Sequence, residues 1–100
     1  MIDQNMREII IALVDKELDN AVRTHGKCNS PHEGYSLIKE EIEEAQDEMN
    51  LMDLSLQALW RRVKDDKLFY KDADDICSFA INCACECVQV AAMAKKSRSI

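Results

Sequence analysis

Between Glu40 and Glu48 the chain carries six carboxylates in nine residues: Glu40, Glu41, Glu43, Glu44, Asp47 and Glu48. On a helix the pairs 40/44, 41/44, 43/47 and 44/48 face one another, and each costs an isolated helix about 0.2–0.5 kcal/mol. At about 100° per residue, Glu41 and Glu48 lie roughly 70–90° from the centre of the apolar seam on that helix. Glu44 lies further round on the same side, Glu40 and Asp47 point away from the core, and Glu43 flanks the other side. Far along the chain, Asp75, Asn82, Glu86, Gln89 and Met93 run down one flank of a second apolar seam. If those flanks face each other, Glu41, Glu44 and Glu86 converge at the edge of a low-dielectric core, where three glutamates cannot all stay charged without compensation. A divalent cation relieves that repulsion. Mg²⁺ suits oxygen ligands best, since it uses a few carboxylates and completes its shell with water and phosphate; Mn²⁺ is the alternative. The competing reading of the same residues is a solvated acidic face that confers solubility.

Other chemistries fit less well. The five cysteines (Cys28, Cys77, Cys83, Cys85 and Cys87) include no Cys-x-x-Cys pair. On a helix Cys83 and Cys87 share a face while Cys85 points away by about 160°, so reduced, buried thiols are expected rather than a zinc site. A di-iron bundle needs Glu-x-x-His pairs. The only histidines, His25 and His32, fall in a loop and at a helix start.

The elements that must position these residues are helices. Gly and Pro together occupy three of 100 positions, and 47% of the residues are hydrophobic, as in a single all-α domain spanning residues 1–100. Three main helices are expected, at about 3–24, 31–64 and 72–96, assembling into an oligomeric helical bundle. The first carries Met6, Ile9, Ile10, Leu13, Leu18 and Val22 on its apolar face and ends at Gly26. The second opens with Ser30 as N-cap, Pro31 at the first helical position and Glu33 completing a capping box. Its seam runs Tyr35, Ile38, Ile42, Ala45, Met49, Met52, Leu56, Leu59, Val63 without a slip, through Asn50. Such a helix is about 50 Å long, too long for two others of the same chain to cover, which points to dimerisation through this seam. Residues 65–75 form a polar connection whose aromatic pair is expected to fold back onto the bundle. The third seam is Ile76, Ala80, Cys83, Cys87, Val90 and Ala94.

A net charge of −6 argues against nucleic acid or an anionic membrane as partner. The basic cluster Lys95, Lys96 and Arg98 complements a helix C-terminus. No apolar run is expected to approach the ~18–20 residues of a membrane span, and no signal-peptide pattern is seen. A cytoplasmic location with no membrane partner is expected.

The stretch "EEIEE" (40–44), followed by a later helix with "ECVQVAAMA" (86–94), resembles the MazG-like, all-α nucleoside triphosphate pyrophosphohydrolases. "CNSPHEGYSLIKEEIEEA" resembles the small phage- and prophage-type members. The resemblance covers about residues 25–49 and 83–96. It implies an oligomeric bundle, a homodimer or homotetramer, that hydrolyses (d)NTPs to the monophosphate and pyrophosphate with Mg²⁺. Carried over by position, the metal ligands are Glu41 and Glu44, then Glu86 and Gln89, with Glu40 as the preceding acid. Glu40 or Glu48 would orient or deprotonate the attacking water, and Lys27, Asn29 and His32 would touch phosphate or base. Two departures stand out: Gln89 replaces the usual Asp, and 41 residues separate Glu44 from Glu86, more than the family's usual gap. The first leaves open a non-catalytic interaction module that keeps the bundle and some nucleotide affinity.

Overall fold

The computed structural model describes residues 1–98; the last two positions of the expected domain, Ser99 and Ile100, lie outside the described residues. Those residues form three helices, α1 (Gln4–His25), α2 (Pro31–Lys64) and α3 (Tyr70–Ser97), with no strand among them. The Asp3 carboxylate caps α1, accepting the Met6 N–H at 2.9 Å. Gly26 closes it with φ of 75°, left-handed backbone that a residue with a Cβ rarely adopts. At the start of α2, Ser30 Oγ accepts the Glu33 N–H at 3.1 Å and the Glu33 carboxylate accepts the Asn29 N–H at 3.2 Å. The acid therefore reaches one residue beyond the N-cap. The helix then runs unbroken through Asn50.

α3 begins at Tyr70, two residues before the expected start, and this overturns the folded-back aromatic pair. Helix formation at Tyr70 leaves a connection of only five residues, and Leu68, Phe69 and Tyr70 are all exposed. What ties the turn together is polar. Arg62 Nε donates to the buried Asp72 carboxylate at 2.6 Å.

α2 and α3 form an antiparallel hairpin, held at its turn by Arg62–Asp72, at its middle by Cys83 beneath the Ala45 carbonyl, and at its open end by Gly34 against Ser97. A Cβ on Gly34 would lie 2.9 Å from Ser97 Oγ and 3.1 Å from Ser97 Cβ, so the bare backbone there sets how closely the helices meet. α1 runs along the other side of α3, parallel to it. Lys95 pairs with Asp15 at 2.6 Å, and Val14 packs on Ala92 and Met93. The backbones of α1 and α2 touch α3 and not each other. The chain is thus one layer of helices in the order α1–α3–α2, measuring 55 × 31 × 20 Å. Its radius of gyration is 17.1 Å, against about 13 Å for a compact chain of this length.

A single layer buries little. The core is Val14, Ala92 and Met93 with Leu18, Ala21, Leu37, Ile38, Val88 and Ala91 around them. Each expected seam is therefore only half covered. On α2, Ile38, Ala45, Met52 and Leu59 are half-buried, while Tyr35, Ile42, Met49, Leu56 and Val63 are exposed. On α1, Met6, Ile9, Ile10 and Leu13 are exposed, and the innermost residue is Val14. On α3, Cys83 is buried but Ala80, Cys87 and Ala94 are not. The expectation of buried thiols holds for Cys28 and Cys83 only; Cys77, Cys85 and Cys87 are exposed. α3 also corrects the reading of apolar runs. A window of 18 residues within it has a mean hydropathy of 1.6, long and apolar enough by composition to cross a membrane. No unbroken run marks it, because Asn82, Glu86 and Gln89 interrupt.

Candidate metal centre

The antiparallel register of α2 and α3 brings Glu86 opposite the 41–44 turn of α2. One carboxylate oxygen from each of Glu41, Glu44 and Glu86 lies within 4.8 Å of the others. Glu41 and Glu86 are half-buried and Glu44 is exposed, so the cluster sits at the mouth of the helix–helix seam.

The electrostatics follow from that placement. Burial, and then the Glu44, Glu86 and Glu40 carboxylates around it, push the Glu41 carboxyl up to about 7. Burial is also the largest cause raising Glu86, followed by Glu44, while a hydrogen bond with Glu41 opposes it. Glu48, one turn on, aims a buried Oε2 inward that no hydrogen-bond partner satisfies. Its charge adds to that of Glu86 in holding the Cys83 thiol protonated, after burial and Cys87. A site of unpaired, partly desolvated carboxylates is held together at a cost unless protons or a cation compensate.

The donor set suits a hard divalent cation. All three donors are oxygen, and oxygens bound to one Mg²⁺ at about 2.0–2.1 Å lie at most about 4.2 Å apart. In that octahedral shell neighbouring oxygens are about 2.9 Å apart, so the three carboxylates, now within 4.8 Å of one another, must draw closer to share one ion. No histidine stands among the three, and the pairing is with oxygen chemistry, not with zinc or iron.

Beside the cluster opens a cleft of about 470 Å³ between α1 and α2, floored by α3. Glu40, Glu41 and Gln89 line its inner end, Leu37 and Met93 its apolar middle, and His25, Glu33 and Lys96 its outer end. Glu40 is exposed and Gln89 half-buried. Gln89 and Glu41 thus share a wall of the same cleft.

Lys27, Asn29 and His32 are not brought together with these groups. All three are exposed and none lines the cleft; Lys27 borders a separate groove with Arg23 and Lys95, on the other side of α1. The cleft wall contains instead Glu17, Asn20, Thr24 and His25 of α1. No sequence signal connects that helix with Glu41, because α1 reaches the site only through its packing on α3. Arg62, a possible phosphate clamp by type, is engaged with Asp72.

No family model matches the chain, and no curated protein or solved structure matches it.

Proposed function

We propose that the protein is a Mg²⁺-dependent nucleoside triphosphate pyrophosphohydrolase, releasing pyrophosphate from a (d)NTP, and that it works in the cytoplasm as a homo-oligomer. The observation that carries this reading is the convergence of Glu41, Glu44 and Glu86 from two helices to within 4.8 Å, beside a cleft of nucleotide-accommodating size. A divalent cation bound there supplies charge against the triphosphate and lowers the pKa of an attacking water. Glu41, Glu44 and Glu86 are the residues that hold it, and Mn²⁺ serves in the same donor set. The Gln89 amide can add a neutral oxygen but no charge. Glu40 on the cleft wall, or Glu48 with its unpartnered oxygen, takes the proton from the water. Leu37 and Met93 offer apolar surface on which the nucleoside can rest.

α3 is assigned to the bundle and not to a bilayer. It packs α1 and α2 on opposite sides and carries Glu86 in the middle of its apolar window, where a charged group in lipid costs several kcal/mol, about 2.5–3.5 on insertion scales.

The test is pyrophosphate release from a panel of canonical and modified (d)NTPs with Mg²⁺ or Mn²⁺, run beside Glu44→Ala. Release that needs the metal and is lost in the variant supports the reading. The second reading, a non-catalytic bundle that retains metal or nucleotide affinity, is favoured by one observation: the neutral Gln89 at the inner end of the cleft. It predicts metal-dependent stabilisation with no release from any substrate in the panel.

A further inference from the structure

The helix layer has two broad faces, and the one turned away from the carboxylates is bare. Along α2, Tyr35, Ile42, Met49, Leu56 and Val63 recur every seventh residue and are between 38% and 67% exposed. On α3, Ala80, Cys87 and Ala94 recur at the same spacing and are exposed too. Ile10 and Leu13 of α1 extend the patch on the far side. Two grooves run between these rows: about 390 Å³ between α2 and α3, with Ile42, Met49, Cys83 and Val90 in its walls, and about 310 Å³ between α1 and α3. Cys87 lies on both. By helical rotation the α2–α3 groove is roughly 140° round each helix from the cleft beside Glu41.

We propose that this face is covered by a second copy of the same chain, seated in the α2–α3 groove about a two-fold axis. The proposal names the surface that self-assembly uses and depends neither on metal binding nor on turnover. Four features argue for a copy of the chain over any other occupant. Helices apolar on one face are stable when a second layer covers them, and this chain supplies a single layer. Its apolar face sets a ridge of large side chains on α2 beside a trough of small ones on α3. A two-fold rotation lays the ridge of each copy in the trough of the other, with matching seven-residue repeats. Extent is sufficient, since the broad side of a 55 × 31 × 20 Å molecule exceeds the ~800 Å² per partner of a stable interface. Finally, among the described residues Gln46 is the only polar side chain lining the α2–α3 groove, and no charged side chain lines either groove. Docking therefore strands no ion, whereas an anionic membrane would need a basic rim. The carboxylate cleft stays open on the outer face of each copy.

Sedimentation velocity on the full chain, with residue-resolved alkylation by iodoacetamide, tests this directly. Cys87 lies in the proposed interface, while the exposed Cys77 of the same helix lines neither groove. The expected result is a dimer in which Cys87 reacts at least about tenfold more slowly than Cys77. Ile42→Glu and Met49→Glu should shift the chain to monomer. Leu54→Glu, at an exposed position on another face of α2, should leave the dimer intact. A wild-type chain monomeric at ~100 µM, or a dimer whose Cys87 reacts as fast as Cys77, would overturn the proposal. So would a dimer that survives both groove substitutions. Because alkylation is measured on the unaltered protein, it decides the matter even where a substituted chain fails to fold.

Discussion

The two faces of the α2–α3 hairpin are built from the same helices and meet opposite problems. One gathers Glu41, Glu44, Glu48 and Glu86 at a half-buried edge and holds carboxyls at raised pKa. The other presents Ile42, Met49 and Cys87 to solvent with almost no polar group between them. Charge without compensation and apolar surface without cover are both unfavourable in isolation, so each face calls for something the lone chain lacks. The difference lies in what satisfies them: a hard cation on the first, a second apolar layer on the second.

The sharpest way to separate the faces is to disable one alone. Glu44→Ala removes an exposed carboxylate from the cluster. It should lower metal-dependent pyrophosphate release at least about 100-fold, about 2.7 kcal/mol in the barrier, while sedimentation stays unchanged. Next comes the spacing on which both faces rely. Gly34→Val forces a branched side chain against Ser97 and Cys28 and should cost about 2–3 kcal/mol in urea unfolding by overpacking. At the opposite end of the hairpin, Arg62→Ala leaves the buried Asp72 carboxylate without its ion partner. Because Arg62 is itself well exposed and its charge screened, the expected loss is smaller, about 1–2 kcal/mol.

The smallest effect carries a distinctive pH dependence. Glu41 is raised from 4.5 to about 7, mainly by burial, so the folded chain keeps a proton that the unfolded chain releases across that interval. The contribution is fully present below pH 4.5 and is lost as the pH rises through 7. Without metal, stability should therefore fall between those limits, by about 1 kcal/mol once solvent screening at this partly exposed group is allowed for. Glu41→Gln should flatten the slope in pH-dependent melting, and Mg²⁺ should oppose it in the wild type by favouring the charged form.

Much of this is legible in the sequence, and the misses share a cause. The Ser30-Pro31-x-Glu33 start specifies the first turn of α2 because its signals are local. Helical periodicity also singles out Glu41, Glu44 and Glu86, the trio that the hairpin brings together. Periodicity does not say which half of a wide apolar seam the chain covers itself. The row through Ile42 and Met49 has the pattern of core, yet it is exposed, and Gly34 with Leu37 and Ile38 faces inward instead. An apolar pattern records burial in the final assembly and does not identify the partner. The cleft wall from Glu17 to His25 and the Arg62–Asp72 pair are invisible in the sequence because each depends on which helices become neighbours in three dimensions.

Whether the carboxylate cluster is a cation site, the point on which the proposed activity turns, is tested most directly by calorimetric titration with Mn²⁺ at pH 7.5. Saturable binding of one ion per chain is expected, competed by Mg²⁺, abolished by Glu44→Gln or Glu86→Gln and retained in Met49→Glu. An absence of saturable binding, or binding that survives both glutamine substitutions, would contradict it.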